Sequence, residues 1–149
     1  MAKVCIVMGS KSDWEVMGKA KAFLDDHGIE NEMLVASAHR NPERVAELAK
    51  KVNDSMDVVI AGAGLAAHLP GVMASLVSKP VIGVPLESGA LKGMDSLLAI
   101  VQMPPGIPVA TVAINGSKNA AILAMQMISL RDSDVREKFL AFRKAQQDA

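Results

Sequence analysis

Tyrosine is absent from this 149-residue chain, and one Trp and three Phe bring the aromatics to only 3%. The core is therefore expected to be built from Val, Ile, Leu, Ala and ten Met. A single cysteine excludes an intramolecular disulfide. Cys5 lies inside the strand-like run "KVCIVM" and reads as a buried, inert thiol. Neither sign of charge is in excess, since 16 Lys plus Arg balance 16 Asp plus Glu. No global field is left to recruit nucleic acid or an anionic membrane, although a local anion site remains open. Long unbroken apolar runs are also missing. The longest, "DVVIAGAGLAAHLPGVMASLV", is interrupted by Gly, Pro and His, which excludes a membrane span. The start, "MAKVCIVM", enters a strand at once and is too short and too weakly basic for a signal peptide. The expectation is a cytoplasmic protein with one domain over residues 1–149.

What is present alternates between short β-branched runs and helical patterns, the signature of a parallel sheet covered on both faces. "KVCIVM" (3–8), "IENEMLVA" (29–36), "DVVIAG" (57–62), "KPVIGVP" (79–85) and "PVATVAI" (108–114) read as five strands. The first helix follows Ser12, which with Glu15 has the form of a capping box, and it stops at Gly28. Its apolar positions Trp14, Met17, Ala20 and Leu24 keep helical spacing. The next helix is capped by Asn41, with Pro42 at its first position and Val45, Leu48, Ala49 and Val52 as its buried stripe. Further helices are expected over about 67–77, 94–101, 117–130 and 133–147. The fold class is α/β: a three-layer, doubly wound parallel sheet, flavodoxin-like, in the order 2-1-3-4-5, with a C-terminal helical extension. Ligands of such sheets bind beyond the carboxyl ends of the strands. Every motif with chemistry in this sequence sits at such an end.

"MGSKSD" (8–13) leaves the first strand. Gly9 is read as allowing a sharp turn, and Ser10, Ser12 and free amides face outward at the positive start of a helix, which suits a phosphate or a ribose hydroxyl. No P-loop pattern is present, which excludes that route to triphosphate hydrolysis. Plain helix capping accounts for Ser12 but not for Ser10 or Asp13. "SAHRNP" makes the same turn after the second strand. Arg40 can fork onto a phosphate with Ser37 beside it, and His39 is placed for proton transfer. A solvated surface loop is the bland alternative.

"AGAGLAAHLPG" (61–71) imitates a dinucleotide fingerprint. Two features speak against NAD: the first βα turn is already taken by "MGSKSD", and Pro70 with Gly71 is read as interrupting the receiving helix. The stretch reads instead as a glycine floor, Gly62 and Gly64, over which a flat ring can lie, with His68 as wall and Leu69 beside it. A satisfied histidine at a helix start is the competing reading of His68. Residues 85–93 form a long joint of the kind used for lids and interfaces, with Glu87 and Lys92 unassigned. The three histidines (His27, His39, His68) lie far apart without metal spacing, and His27 fits the negative end of its helix. No metal is expected. A G-x-S-x-G elbow is lacking, so Ser-His-Asp hydrolysis is not indicated.

Taken together and in order, "MGSKSD", "SAHRNPE", "AGAGLAAHLPG", "GVPLES" and "AIVQMPPGIPVATVAI" resemble the PurE family of de novo purine biosynthesis, from about Val4 to Leu130. The His-Leu-Pro-Gly at 68–71 is similar to the class that acts as N5-carboxyaminoimidazole ribonucleotide mutase. Leu65 departs from the glycine usual in that class. The resemblance implies carboxyl transfer from an exocyclic nitrogen to ring carbon 4, with carbon dioxide freed and recaptured and no cofactor required. It implies His39 as the acid/base residue, Ser10, Ser37 and Arg40 as phosphate contacts, and Asp13 as the ribose contact. It also implies a homo-octamer with sites at subunit junctions, and a functional link to the synthetase that makes the substrate. Direct carboxylation of aminoimidazole ribonucleotide, and a non-enzymatic nucleotide sensor on a flavodoxin-like fold, are the alternatives.

Overall fold

The computed structural model describes every residue, Met1–Ala149. Strands β1 (Lys3–Met8), β2 (Glu30–Val35), β3 (Val58–Gly64), β4 (Val81–Leu86) and β5 (Ala110–Thr111) form one parallel sheet in the order β2-β1-β3-β4-β5. Helices α1 (Trp14–Asp26), α2 (Pro42–Ser55), α3 (Leu69–Leu76), α4 (Met94–Val101), α5 (Ser117–Ser129) and α6 (Ser133–Gln147) complete the doubly wound fold.

Side-chain alternation along β1 divides the core in two. Val4, Ile6 and Met8 face a cluster closed by α1, α5 and Val135 of α6. Cys5 and Val7 face the other side, where Val45, Leu48, Ala49 and Val52 of α2 meet Met73 and Ile100. Burial pushes the Cys5 thiol up to about 12, so it stays protonated and unreactive. The outer strand β2 is guarded by charge. Glu32 accepts from Lys3 Nζ at 2.6 Å and from Lys51 Nζ at 2.5 Å, and these two bonds hold its carboxyl below the usual range. Charged side chains on an outer strand discourage pairing with foreign strands.

Local rules account for most boundaries. Asn41 Oδ1 accepts the Arg44 N–H at 3.2 Å, and Pro42 opens α2 as expected. Gly28 takes φ +63 after α1, a conformation that favours glycine. His27 closes this helix end, its Nδ1 donating to the Phe23 carbonyl at 2.7 Å.

Five expectations need correction. The Ser12–Glu15 capping box does not form: Ser10 caps a 3₁₀ turn over Lys11–Asp13, and Asp13 precedes α1 without a side-chain cap. Trp14 is about half exposed and stands off the buried stripe of α1. Strand β3 runs on to Gly64, so Gly62 lies inside the sheet, paired with Met8 and Val84. Pro70 does not interrupt α3; it sits in the first turn, where its missing N–H costs nothing. Strand β5 is only two residues long, although beyond it the Val112 N–H still donates to the Gly83 carbonyl at 3.2 Å and the Asn115 N–H to the Pro85 carbonyl at 2.8 Å.

Candidate active site

The carboxyl ends of the strands are not level. Met8 ends β1 opposite Val35 and Gly62, while β3 continues for two residues to Gly64. This step leaves a hollow above β1, bounded by the turns after β1, β2 and β3. A cavity of about 410 Å³ occupies it, within the range that takes a small-molecule ligand.

The turn after β1 supplies its base. Gly9 is not in a left-handed conformation, and a Cβ built on it would meet nothing within 4 Å. Its missing side chain opens space; it is not what bends the chain. Ser10 Oγ accepts the Ser12 N–H at 3.3 Å and lies 2.9 Å from Ser12 Oγ, so the two hydroxyls hold one another in place. Asp13 is half-buried. Partial burial pushes its carboxyl above the usual range, and a backbone hydrogen bond from Ser10 acts weakly the other way.

The turn after β2 supplies the cation. Ser37 Oγ accepts from Arg40 N–H at 3.3 Å and from Arg40 Nε at 3.2 Å. Arg40 Nη2 donates to the Gly9 carbonyl at 2.9 Å. The guanidinium is thus held edge-on by both turns and is already oriented for a planar anion. His39, exposed, borders the same cavity. Arg40 also borders a second hollow of about 390 Å³ lined by Ser10, Lys11, Ser37 and Arg44, in which no carboxylate takes part. The two hollows share the serines and the guanidinium, which makes this edge strongly anion-attracting.

The third wall comes from β3 and the start of α3. Gly64, Leu65, His68 and Leu69 border the cavity, with Leu69 otherwise buried in the core. The His68 ring lies so close over Gly71 that no side chain larger than hydrogen fits beneath it. Its Nδ1 is buried and has no partner within the protein. Gly62 does not border the cavity. It is fully enclosed between Met17 and Leu86, where a methyl would lie 2.5 Å from Met17 Sδ. Seven of the polar or charged sequence candidates (Ser10, Ser12, Asp13, Ser37, His39, Arg40 and His68) are brought together here, and Gly64 with them.

Sequence reasoning missed Ser88, which borders the cavity just after β4. Its position past a strand's carboxyl end was the available signal. The joint it belongs to, Glu87–Gly93, is not loose. The Glu87 N–H donates to Asn115 Oδ1 at 3.0 Å, and buried Ser96 Oγ donates to the carbonyls of Leu86 at 3.1 Å and Gly93 at 3.0 Å.

The family model described as AIR carboxylase matches residues 3–149. A protein of Pyrococcus abyssi named N5-carboxyaminoimidazole ribonucleotide mutase is 55% identical over 97% of this chain and 83% of its own length. One of Vibrio parahaemolyticus with the same name is 52% identical over 98% of this chain and 92% of its own. The crystal structure of Treponema denticola PurE superposes with a TM-score of 0.91 at 29% identity, covering 99% of this chain and 93% of that one.

Proposed function

This chain belongs to the AIR carboxylase family, and we propose on that footing that it is an N5-carboxyaminoimidazole ribonucleotide mutase of purine biosynthesis. It is an isomerase: a carboxyl group leaves the exocyclic nitrogen of the aminoimidazole and ends on ring carbon 4. The observation that carries the assignment is identity above 50% to proteins of that name over nearly the full length, joined to a cavity that gathers an anion clamp and a histidine.

The chemistry needs few parts. The nitrogen–carbon bond breaks, its electron pair stays on nitrogen, and that nitrogen takes a proton. Carbon dioxide is released next to an electron-rich ring. Carbon 4 attacks it, a carbon–carbon bond forms, and carbon 4 gives up its proton. The substrate's own ring supplies the electrons, so the protein needs to bind, orient and move protons. Arg40, held by Gly9 and Ser37, receives the ribose phosphate with Ser10, Ser12 and Ser37 as further donors. Asp13 takes a ribose hydroxyl. His39, on the same turn as the clamp, gives the first proton and takes the second. Gly64 lets the ring approach the backbone, and the unpaired Nδ1 of His68 supports a polar contact to the ligand.

Conversion of N5-carboxyaminoimidazole ribonucleotide without added bicarbonate, with slow entry of labelled bicarbonate into product, is the expected result. Efficient conversion of aminoimidazole ribonucleotide at low bicarbonate, with label at every turnover, would instead make the protein a carboxylase, as the family's description allows. Binding without any conversion would leave a nucleotide sensor.

Self-association fits the surface. Leu91, Met94, Leu98 and Val101 are each about half exposed or more, and the last three recur along one face of α4. A second copy of this chain is the occupant that octamer formation supplies, and Leu98→Glu is expected to lower the sedimenting mass. No helix is long and apolar enough to cross a membrane. A cytoplasmic setting and a functional link to the synthetase that makes the substrate accord with the proposed reaction; co-sedimentation with that synthetase would test the link.

A further inference from the structure

One hydroxyl at the cavity is used neither by the anion clamp nor by the proton carrier. Ser88 borders the cavity two residues past Leu86, where β4 ends opposite Gly64. The backbone on either side of it is held. The Glu87 N–H donates to Asn115 Oδ1 at 3.0 Å, and Asn115, at φ +60, anchors itself through its own N–H to the Pro85 carbonyl at 2.8 Å. Gly89 takes φ +65, a left-handed conformation that turns the chain directly after Ser88. The Ser88 Cβ lies 3.3 Å from where a Cβ on Gly64 would be, so the serine stands against the glycine of the third wall. None of the joint's hydrogen bonds uses its hydroxyl. A fixed backbone thus presents a free hydroxyl to the cavity.

The strand order says which part of a ligand it meets. The clamp belongs to the turns after β1 and β2, since Gly9, Ser10, Ser37 and Arg40 border both hollows. Ser88 borders only the larger one and follows β4, two strands from β1 in the sheet. Neighbouring strands lie about 4.8 Å apart, which puts it about 10 Å across the sheet from the turn after β1. A ribonucleotide with its phosphate on the clamp therefore carries its base over β3 toward Ser88. In the aminoimidazole product, carbon 4 and its carboxyl lie on the side of the ring away from the nitrogen that bears the ribose.

The charges of the joint stay out of this place. Glu87 and Lys92 are exposed and border neither hollow. A neutral donor suits the reaction. The carboxyl is charged in substrate and product, but carbon dioxide between them is neutral. A fixed cation at this end would favour the two charged states over the neutral intermediate and raise the barrier between them. A hydroxyl orients the carboxylate with a smaller bias. We propose that Ser88 is a substrate-contacting residue, its Oγ–H donating to the carboxylate on carbon 4 and orienting that edge of the ring. This rests on the ribonucleotide reading above, but not on the choice between mutase and carboxylase, which make the same product.

The test titrates the intact protein, Ser88→Ala and Ser88→Thr with two ligands: the product carboxylated at carbon 4, and aminoimidazole ribonucleotide, which lacks the carboxyl. Tm and sedimenting mass are measured for each protein. Ser88→Ala is expected to bind the product roughly tenfold more weakly, a change of about 1.4 kcal/mol. It should bind aminoimidazole ribonucleotide as the unaltered protein does. Ser88→Thr keeps the hydroxyl and is expected to restore product affinity. Tm and mass should not move, because Ser88 is exposed. Equal losses for the two ligands would overturn the proposal, since the carboxyl would then not be what Ser88 holds. Unchanged product affinity in Ser88→Ala would overturn it too, as would a loss in Ser88→Thr as large as in Ser88→Ala. If the unaltered protein binds neither ribonucleotide, the proposed function itself fails and this contact falls with it.

Discussion

Arg40, in the turn after β2, donates through Nη2 to the carbonyl of Gly9, in the turn after β1, across 2.9 Å. One side chain thus fixes the spacing of two turns and presents a cation between them. Arg40→Ala is expected to weaken ribonucleotide binding by about 1.5–3 kcal/mol, the usual range for a charge-assisted contact. Arg40→Lys should recover only part, because an ammonium cannot hold Gly9, Ser37 and a phosphate in one plane. Titration with ribonucleotide and with the phosphate-free nucleoside checks this; equal losses for both ligands would remove Arg40 from the phosphate.

His39 is exposed and borders the cavity, so replacing it should not disturb packing. His39→Asn is expected to lower kcat by ~10²–10⁴-fold, the usual worth of positioned proton transfer. Ligand affinity should largely survive. Steady-state kinetics beside equilibrium binding measures both, and near-normal turnover would exclude His39 as the proton carrier.

Asp13 gives a prediction in pH. Partial burial raises its carboxyl above the ordinary range, so the native state binds the proton more tightly than the unfolded chain does. The ionised form therefore detracts from stability above the raised folded value, and this penalty disappears below the unfolded value. Asp13→Asn is expected to raise Tm near neutral pH while weakening ribonucleotide binding. The gain in Tm should shrink as pH falls through the carboxylate range. Calorimetry at several pH values tests it, and a gain that persisted in acid would rule out this origin.

Gly62 is enclosed by Met17 and Leu86, with an added Cβ only 2.5 Å from Met17 Sδ and 3.2 Å from Leu86 Cδ1. Gly62→Ala is expected to destabilise the protein by about 1–3 kcal/mol, as overpacking of a close-packed core does. Urea unfolding should show a lower midpoint at unchanged slope. Activity per folded molecule should be retained, which separates a packing glycine from a ligand-facing one.

Gly62 and Gly64 show where sequence was informative and where it was not. Both stand in one run of small residues, and nothing local distinguishes them. The distinction comes from register: Gly62 pairs with Met8 at the end of β1, and Gly64 projects past it. The same is true of Ser10 and Ser12. A capping-box spacing favoured Ser12, but a single 3₁₀ turn before α1 shifts the cap to Ser10. By contrast, α4 and α6 have the boundaries that periodicity assigns. So does the stripe Val45, Leu48, Ala49 and Val52, because amphipathic spacing is itself what buries it. Ser88 carries no local signal beyond its place after β4, and of the joint's polar residues it alone borders the cavity, not the charged Glu87 or Lys92.

In the order β2-β1-β3-β4-β5 no two neighbouring strands can be joined by a tight hairpin, because every pair is parallel. Each pairing waits on closure of a loop that contains a helix, and such non-local contacts slow folding relative to a helical bundle. The cavity borrows a wall from the turns after β1, β2 and β3 in turn. A fragment ending before β3 lacks the third wall, and Ser88 joins the border only once β4 is in place. Ligand present during refolding therefore acts on the last steps, slowing unfolding without accelerating the first collapse.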